Sequence, residues 1–208
     1  MTIKDIYELG IRLGIEHDPR GREGVKKYLG RMKRGFDDLK PSDKPYFDEE
    51  RLTNPYPDSG LLTGDTAKKV RRVMAGIDIG VGEVLLADRL SERGEGVDLI
   101  ISHHPLGKCL AALDEVMDLQ IDVHKSFGVP IHLAEKIMEE RRKEVGRGLH
   151  PFNHYQVVDL ARILGVSLMN MHTVTDNMVD HLMRGLIAKR RPETIAELME
   201  LLGEIPEY

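Results

Sequence analysis

The chain has 208 residues, a formal net charge of −5, 41% apolar and 31% charged residues, and a single cysteine. That length buries one good core or two small ones. The mild negative charge lacks the dense basic face that nucleic-acid or membrane binding asks for, and Cys109 alone excludes an intramolecular disulfide scaffold. No apolar run approaches the roughly 20 residues of a membrane helix, and the charged start Met1-Thr2-Ile3-Lys4-Asp5 has no signal-peptide core. The expectation is a cytoplasmic globular protein with no membrane partner and no nucleic-acid partner. Four Phe, six Tyr and no Trp make an aromatic-poor interior whose gaps the ten Met can fill.

In chain order, Ile3, Tyr7 and Ile11 recur every fourth residue and predict a helix over 2–16, with Thr2 and Asp5 as a capping box. A second, basic helix is expected over 20–37. Pro41, Pro45, Pro55 and Pro57 break the pattern and mark 41–60 as an extended connection. Val73–Ile79 reads as a strand, Gly80–Arg93 as a helix with Val84, Leu85 and Ala87 facing inward, and Val97–Ser102 as a β-branched second strand. Strand, about a dozen helical residues and strand again is the pattern of a βαβ unit with parallel strands. Helices are expected over 112–122, 130–145, 153–164, 177–190 and 192–202, the last with Pro192 in its first turn, and a third strand over Val166–His172. The fold class is α/β with a mostly parallel sheet flanked by helices.

Ser102-His103-His104-Pro105 closes a predicted strand, at the sheet edge where open α/β proteins bind ligands. Neutral imidazole suits zinc, iron, copper or nickel. Neighbouring strand residues point to opposite faces, so two adjacent His converge only where the strand has ended, which Pro105 favours. His172 and Asp176 follow another predicted strand and would reach the same edge. Two His and one Asp make a mixed nitrogen and oxygen site with room for water, which a bound metal activates for hydrolysis. Plainer readings stand beside these. The His pair can be structural, and Asp176 can cap a helix beginning near Asn177. His150 to His154 is either a second ligand cluster or a loop leading into a helix with Asn153 as its cap. His132 and Glu135 look packed, Cys109 is a small apolar group or a reactive thiol, and Gly80-Val81-Gly82 lacks the third glycine of a dinucleotide loop.

The stretch from Asp58 onward resembles the family named after the yeast NGG-one-interacting factor three, the Nif-three-like family. Asp58-Ser59-Gly60-Leu61-Leu62-Thr63-Gly64-Asp65 is similar to its opening N-x-G-L-x-x-G-D, with Asp58 in place of the Asn. Met74–Asp78, Val97–Leu106 with its double His, and His172-Thr173 with Asp176 (H-T-x-x-D) continue the likeness. The resemblance divides the chain into a helical N-terminal extension, 1–57, and a Nif-three-like α/β domain, 58–208. It implies a binuclear metal site with His103, His104 and Asp176 as ligands, and a homo-oligomer, hexameric in the family. The cofactor would be a divalent metal ion, Zn, Fe or Mn, one or two per chain. The family's distal His-x-x-x-Glu is not in this sequence, so 58–208 matches a first half only, as a piece of a longer protein or as a half-length form. The 110–165 stretch reads as a helix-rich insertion.

Two functions remain open at this level. One is a metal-dependent hydrolase acting on a nucleotide-like or phosphorylated small molecule, a GTP cyclohydrolase-type ring opening included, with His172 as the catalytic group that moves protons. The other is a non-catalytic interaction or regulatory protein whose metal is structural or vestigial.

Overall fold

In the computed structural model, which describes residues 1–206, the apolar runs become four short strands: β1 (Gly60–Thr63), β2 (Val73–Gly76), β3 (Leu99–Ser102) and β4 (Leu168–Asn170). They lie side by side in the order β1-β4-β3-β2. β2 runs parallel to β3, with Val73 opposite Leu99 through Gly76 opposite Ser102, and β3 runs parallel to β4. The predicted crossover is present, with α3 (Val81–Glu92) between β2 and β3. β1 is antiparallel to β4, pairing Gly60 with Asn170. It was hidden at the end of the proline-rich connection, which otherwise forms two short turns of 3-10 helix, Lys44–Tyr46 and Glu49–Leu52.

Alternation along the strands sorts the core into two layers. Leu99 and Met169 join Ile3, Ile11, Tyr56, Met171 and Val174 on one face. There the sheet meets α1 (Ile3–Glu16) and α8 (Thr173–Arg190). Ile100 and Leu168 join Ile79, Val84, Ala87, Val158 and Ala161 on the other, against α3 and α7 (Gln156–Ile163). The Val, Leu, Ile and Met side chains among these contribute about 1.5–3 kcal/mol each, so the sheet is held from both sides. The fold is α/β, with a four-stranded sheet flanked by helices.

The first helix follows its sequence closely: Asp5 N–H donates to Thr2 Oγ1 at 3.1 Å and Thr2 N–H to Asp5 Oδ2 at 2.8 Å. α2 spans Gly21–Asp37. Elsewhere the boundaries move. The stretch expected as one helix over 112–122 holds a 3-10 turn (Leu113–Val116) and the start of α5 (Met117–Ser126); α4 (Gly107–Ala111) precedes it and α6 (Ile131–Leu149) follows. Leu85 is 47% exposed, so α3 turns Val84 and Ala87 inward and leaves Leu85 outside. α9 (Ile195–Gly203) is capped by Thr194, which accepts from Glu197 N–H, and Pro192 precedes it rather than sitting in its first turn. No described helix is long and apolar enough to cross a membrane.

Candidate metal centre

All four strands deliver polar residues to one edge of the sheet. Three reach it at their carboxyl ends: β2 leads to Asp78, β3 to His103 and His104, and β4 to His172. The antiparallel β1 reaches the same edge at its start and brings Asp58 and Ser59.

The two adjacent histidines converge because the strand ends beneath them. His103 N–H still donates to Gly76 O (2.9 Å) and His104 N–H to Ile77 O (2.8 Å), after which the chain turns. The His104 carbonyl accepts from Ser102 Oγ at 2.7 Å and from Asn170 Nδ2 at 3.0 Å, while Asn170 Oδ1 accepts from Leu106 N–H at 3.0 Å. The fully buried Asn170 thus clamps the turn from both sides.

His172 is held differently. α8 starts at Thr173, four residues earlier than expected, and His172 is the residue before it. The partners for this helix end come from far away in sequence. Ser59 Oγ accepts from His172 N–H (3.0 Å), and Asp58 Oδ2 accepts from Thr173 N–H (3.3 Å) and the Thr173 hydroxyl (2.6 Å). A carboxylate at a helix N-terminus is favoured by the helix dipole. Asp176 therefore lies inside the first turn and is not the cap; its side chain is 53% exposed.

The geometry brings the expected residues together. One ring nitrogen each of His103, His104 and His172 lies within 4.8 Å of the others. Ring centroids are separated by 5.2 Å for His103–His104, 4.7 Å for His103–His172 and 6.0 Å for His104–His172. Asp176 Oδ1 is 3.6 Å from His103 Nε2, and Oδ2 is 3.9 Å from His172 Nδ1.

Each ring is also held through its Nδ1. Asp58 Oδ2 is 2.7 Å from His172 Nδ1, Asp78 Oδ1 is 2.7 Å from His104 Nδ1, and Thr175 Oγ1 is 3.0 Å from His103 Nδ1. The Thr175 proton goes to the Met171 or His172 carbonyl, at 2.7 and 2.9 Å, so its oxygen accepts from His103. Carboxylates accept only. In the neutral rings these partners place the proton on all three Nδ1 atoms and leave a lone pair on each Nε2.

Charge points the same way. Asp58, Asp78 and Asp176 have only histidine partners in ion-pair contact, with no Lys or Arg within that range among the described residues. Burial disfavours the charged form of His172, but the hydrogen bond to Asp58 and the charges of Asp58 and Asp176 outweigh it, and its pKa sits above the ordinary value. Three carboxylates around three imidazoles concentrate negative charge at this edge of the sheet.

Asp58, Asp78, Asn170 and Thr175 were not singled out as site residues from the sequence. Asp58 and Asp78 stood in the segments that carried the family resemblance, but nothing local showed that they face His172 and His104. The remaining candidates lie elsewhere. His154 Nε2 contacts Leu149 O at 3.0 Å, His132 and Glu135 are exposed rather than packed, and Cys109 is buried. The three-histidine group is the one cluster of metal-ligating geometry among the described residues.

No protein-family profile and no curated protein sequence matches the chain. Among solved structures it is similar to the crystal structure of a NIF3 superfamily protein from Sphaerobacter thermophilus, with 25% sequence identity and a TM-score of 0.61. The match covers 73% of this chain and 55% of that one, so the chain spans little more than half the length of the protein it matches.

Proposed function

We propose that this chain, which has the NIF3-like fold, holds a divalent transition metal on His103, His104 and His172 with Asp176 beside them, and uses it in hydrolysis. The observation that carries the reading is the set of Nδ1 partners: each imidazole has its far nitrogen occupied and its Nε2 free. Metal-binding histidines characteristically show this arrangement. Zinc–nitrogen bonds of about 2.1 Å place tetrahedral donors about 3.4 Å apart, and modest side-chain rotation brings donors within 4.8 Å to that spacing. Nitrogen-rich donors favour zinc or iron over calcium or magnesium, and the carboxylate of Asp176 would admit manganese.

Structural metal sites are closed, whereas catalytic ones keep an open position. Here the His104 side chain is 50% exposed and Asp176 53%, which supports a site that a substrate can reach. A divalent ion bound there supplies Lewis acidity and activates water. His103 and His104 anchor it, and Asp176, on the open side, is placed to orient the water and take its proton. Asp58 holds the His172 ring through Nδ1 and leaves Nε2 facing the other two rings, which supports a ligand role for His172 beside the proton-moving role expected of it. The substrate class is a nucleotide-like or phosphorylated small molecule, with GTP cyclohydrolase-type ring opening among the reactions to screen. A homo-oligomer is part of this proposal, supported by exposed apolar Ile77, Leu85 and Leu86.

The test is elemental analysis of protein purified without chelator, followed by a screen of nucleotides and phosphoesters with Zn²⁺, Mn²⁺ or Fe²⁺. The expected result is about one or two equivalents of metal in the wild type, a loss in His104→Ala, and hydrolysis that fails in the same variant. Wild type without stoichiometric metal refutes the proposal. Metal without activity, or activity equal in the two proteins, turns it toward a non-catalytic role.

A further inference from the structure

The two aspartates that hold site histidines make the same contact in opposite surroundings. Asp58 Oδ2 and Asp78 Oδ1 each sit 2.7 Å from a histidine Nδ1. The Asp78 side chain is 83% exposed, whereas that of Asp58 is 0% exposed. Asp58 is also saturated: Oδ1 accepts from Ser59 Oγ at 3.2 Å, and Oδ2 from the Thr173 hydroxyl and amide. Ser59 in turn receives the His172 amide. One buried carboxylate thereby fixes both the ring and the backbone of His172, and the contacts span 114 residues of sequence.

An interaction between charges weakens with solvent access. Asp78 faces water, and its influence on His104 is largely screened. Asp58 acts in a dry setting on a ring whose freedom is already limited. A buried acceptor that holds Nδ1–H also raises the electron density that Nε2 offers.

We infer that Asp58 is the positioning residue that sets the metal affinity of this centre: buried, it fixes His172 in the Nδ1–H tautomer and strengthens Nε2 as a ligand, a role exposed Asp78 fills only weakly for His104. This rests on the metal reading above. It separates a chain in which all three histidines are equal from one in which the start of β1 controls loading.

The experiment compares wild type, Asp58→Asn, Asp58→Ala and Asp78→Asn. Asp58→Asn keeps the shape and one acceptor oxygen but drops the charge. Zinc affinity is read by competition with a chromogenic chelator, the His172 tautomer by long-range ¹⁵N–¹H spectra of metal-free protein, and folding by thermal melts. The expected results are an affinity loss of about 10–100-fold in Asp58→Asn and of at most about fivefold in Asp78→Asn, the scale of an exposed charge. His172 should be Nδ1–H in wild type and should lose that preference in Asp58→Ala. Equal losses in the two Asn variants overturn the inference. So does a lowered melting temperature with unchanged affinity in the folded protein, because Asp58 then serves stability alone. If wild type takes up no zinc, the metal reading falls, and the affinity claim with it. The metal-free tautomer still decides whether Asp58 orients the ring.

Discussion

Asn170 and His104 are 66 residues apart in sequence, yet the Asn170 amide donates to the His104 carbonyl at 3.0 Å, at the point where β3 gives way to the histidine turn. The same side chain accepts from Leu106 N–H, so one buried amide satisfies both limbs of the turn. Asn170→Ala leaves the part-buried Leu106 N–H unpaired and removes one of the two donors to the His104 carbonyl, at about 1 kcal/mol. The expected outcome is a lower urea midpoint together with weaker zinc binding, since His104 loses its backbone anchor. Asn170→Asp keeps the Leu106 acceptor but sets a buried carboxylate oxygen against the His104 carbonyl, and at neutral pH its urea midpoint should fall below that of Ala. A variant that binds zinc as wild type does, at full occupancy of the fold, shows that the turn holds itself.

α1 and α8 meet backbone to side chain at Gly14. A Cβ there would sit 3.0 Å from Tyr56 Cε2 and 3.1 Å from Val174 Cα. Asn177, one residue past Asp176, donates to the Gly14 carbonyl at 3.1 Å and to Tyr56 Oη at 3.2 Å. The first turn of α8, which carries Thr175 and Asp176, is therefore seated on α1. Gly14→Ala should overpack this contact and cost about 1–3 kcal/mol. The shift should also reach the site, because pushing α8 outward moves Thr175 away from His103. Calorimetry gives the first effect, and the His103 chemical shifts give the second. A stable variant with unmoved His103 signals contradicts the prediction.

Asp98 ties the start of β2 to the start of β3. Its Oδ2 accepts from Arg71 N–H at 2.8 Å and Arg72 N–H at 3.0 Å. Those two backbone donors hold its pKa below the ordinary 3.8, with Lys68 and Arg71 adding to the effect against a small opposing influence of burial. With the folded pKa below the unfolded one, the unfolded chain takes up the proton first as the solution is acidified. The stabilisation is therefore full above about pH 4 and is lost as pH falls through the folded value. Urea midpoints of Asp98→Asn should be lower than wild type at neutral pH, and the gap should narrow below pH 4. A gap that is constant down to strongly acidic pH excludes this linkage.

The parts of this fold written in local sequence are the parts read correctly from it. Val73–Gly76 and Leu99–Ser102 are short, apolar and separated by a helix, and their parallel pairing follows. The Thr2–Asp5 box closes within four residues. The gathering of His103, His104, His172 and Asp176 was legible, because residues following strands meet at one edge. What stayed hidden depends on contacts between distant segments. β1 is four residues among prolines and exists through its pairing with β4. α8 begins at Thr173 because Asp58 and Ser59 cap it from more than a hundred residues away, so a local search for a cap settled on Asp176 instead. Leu85 matches the apolar pattern of α3, but the neighbouring helix α7 covers only the Val84 and Ala87 side.

Cys109 follows from the same packing. It is 1% exposed, its sulfur lies close under β1 at Gly60, and burial pushes its thiol pKa up, the nearby Lys108 opposing the shift only in part. The thiolate is the reactive form, so burial acts against reaction twice, by blocking approach and by keeping the proton on sulfur. Labelling with iodoacetamide at neutral pH should therefore require the core to open. For a domain of ordinary stability the opened fraction is about 10⁻³ or less, and labelling of native protein should be slower than that of the denatured chain by at least that factor. The rate should rise in Asn170→Ala and Gly14→Ala by about 5–30-fold for 1–2 kcal/mol of lost stability, because labelling and unfolding sample the same opening. Rapid labelling of the folded wild type means that β1 lifts away without global unfolding, and in that case Asp58 and the centre it supports would open with it.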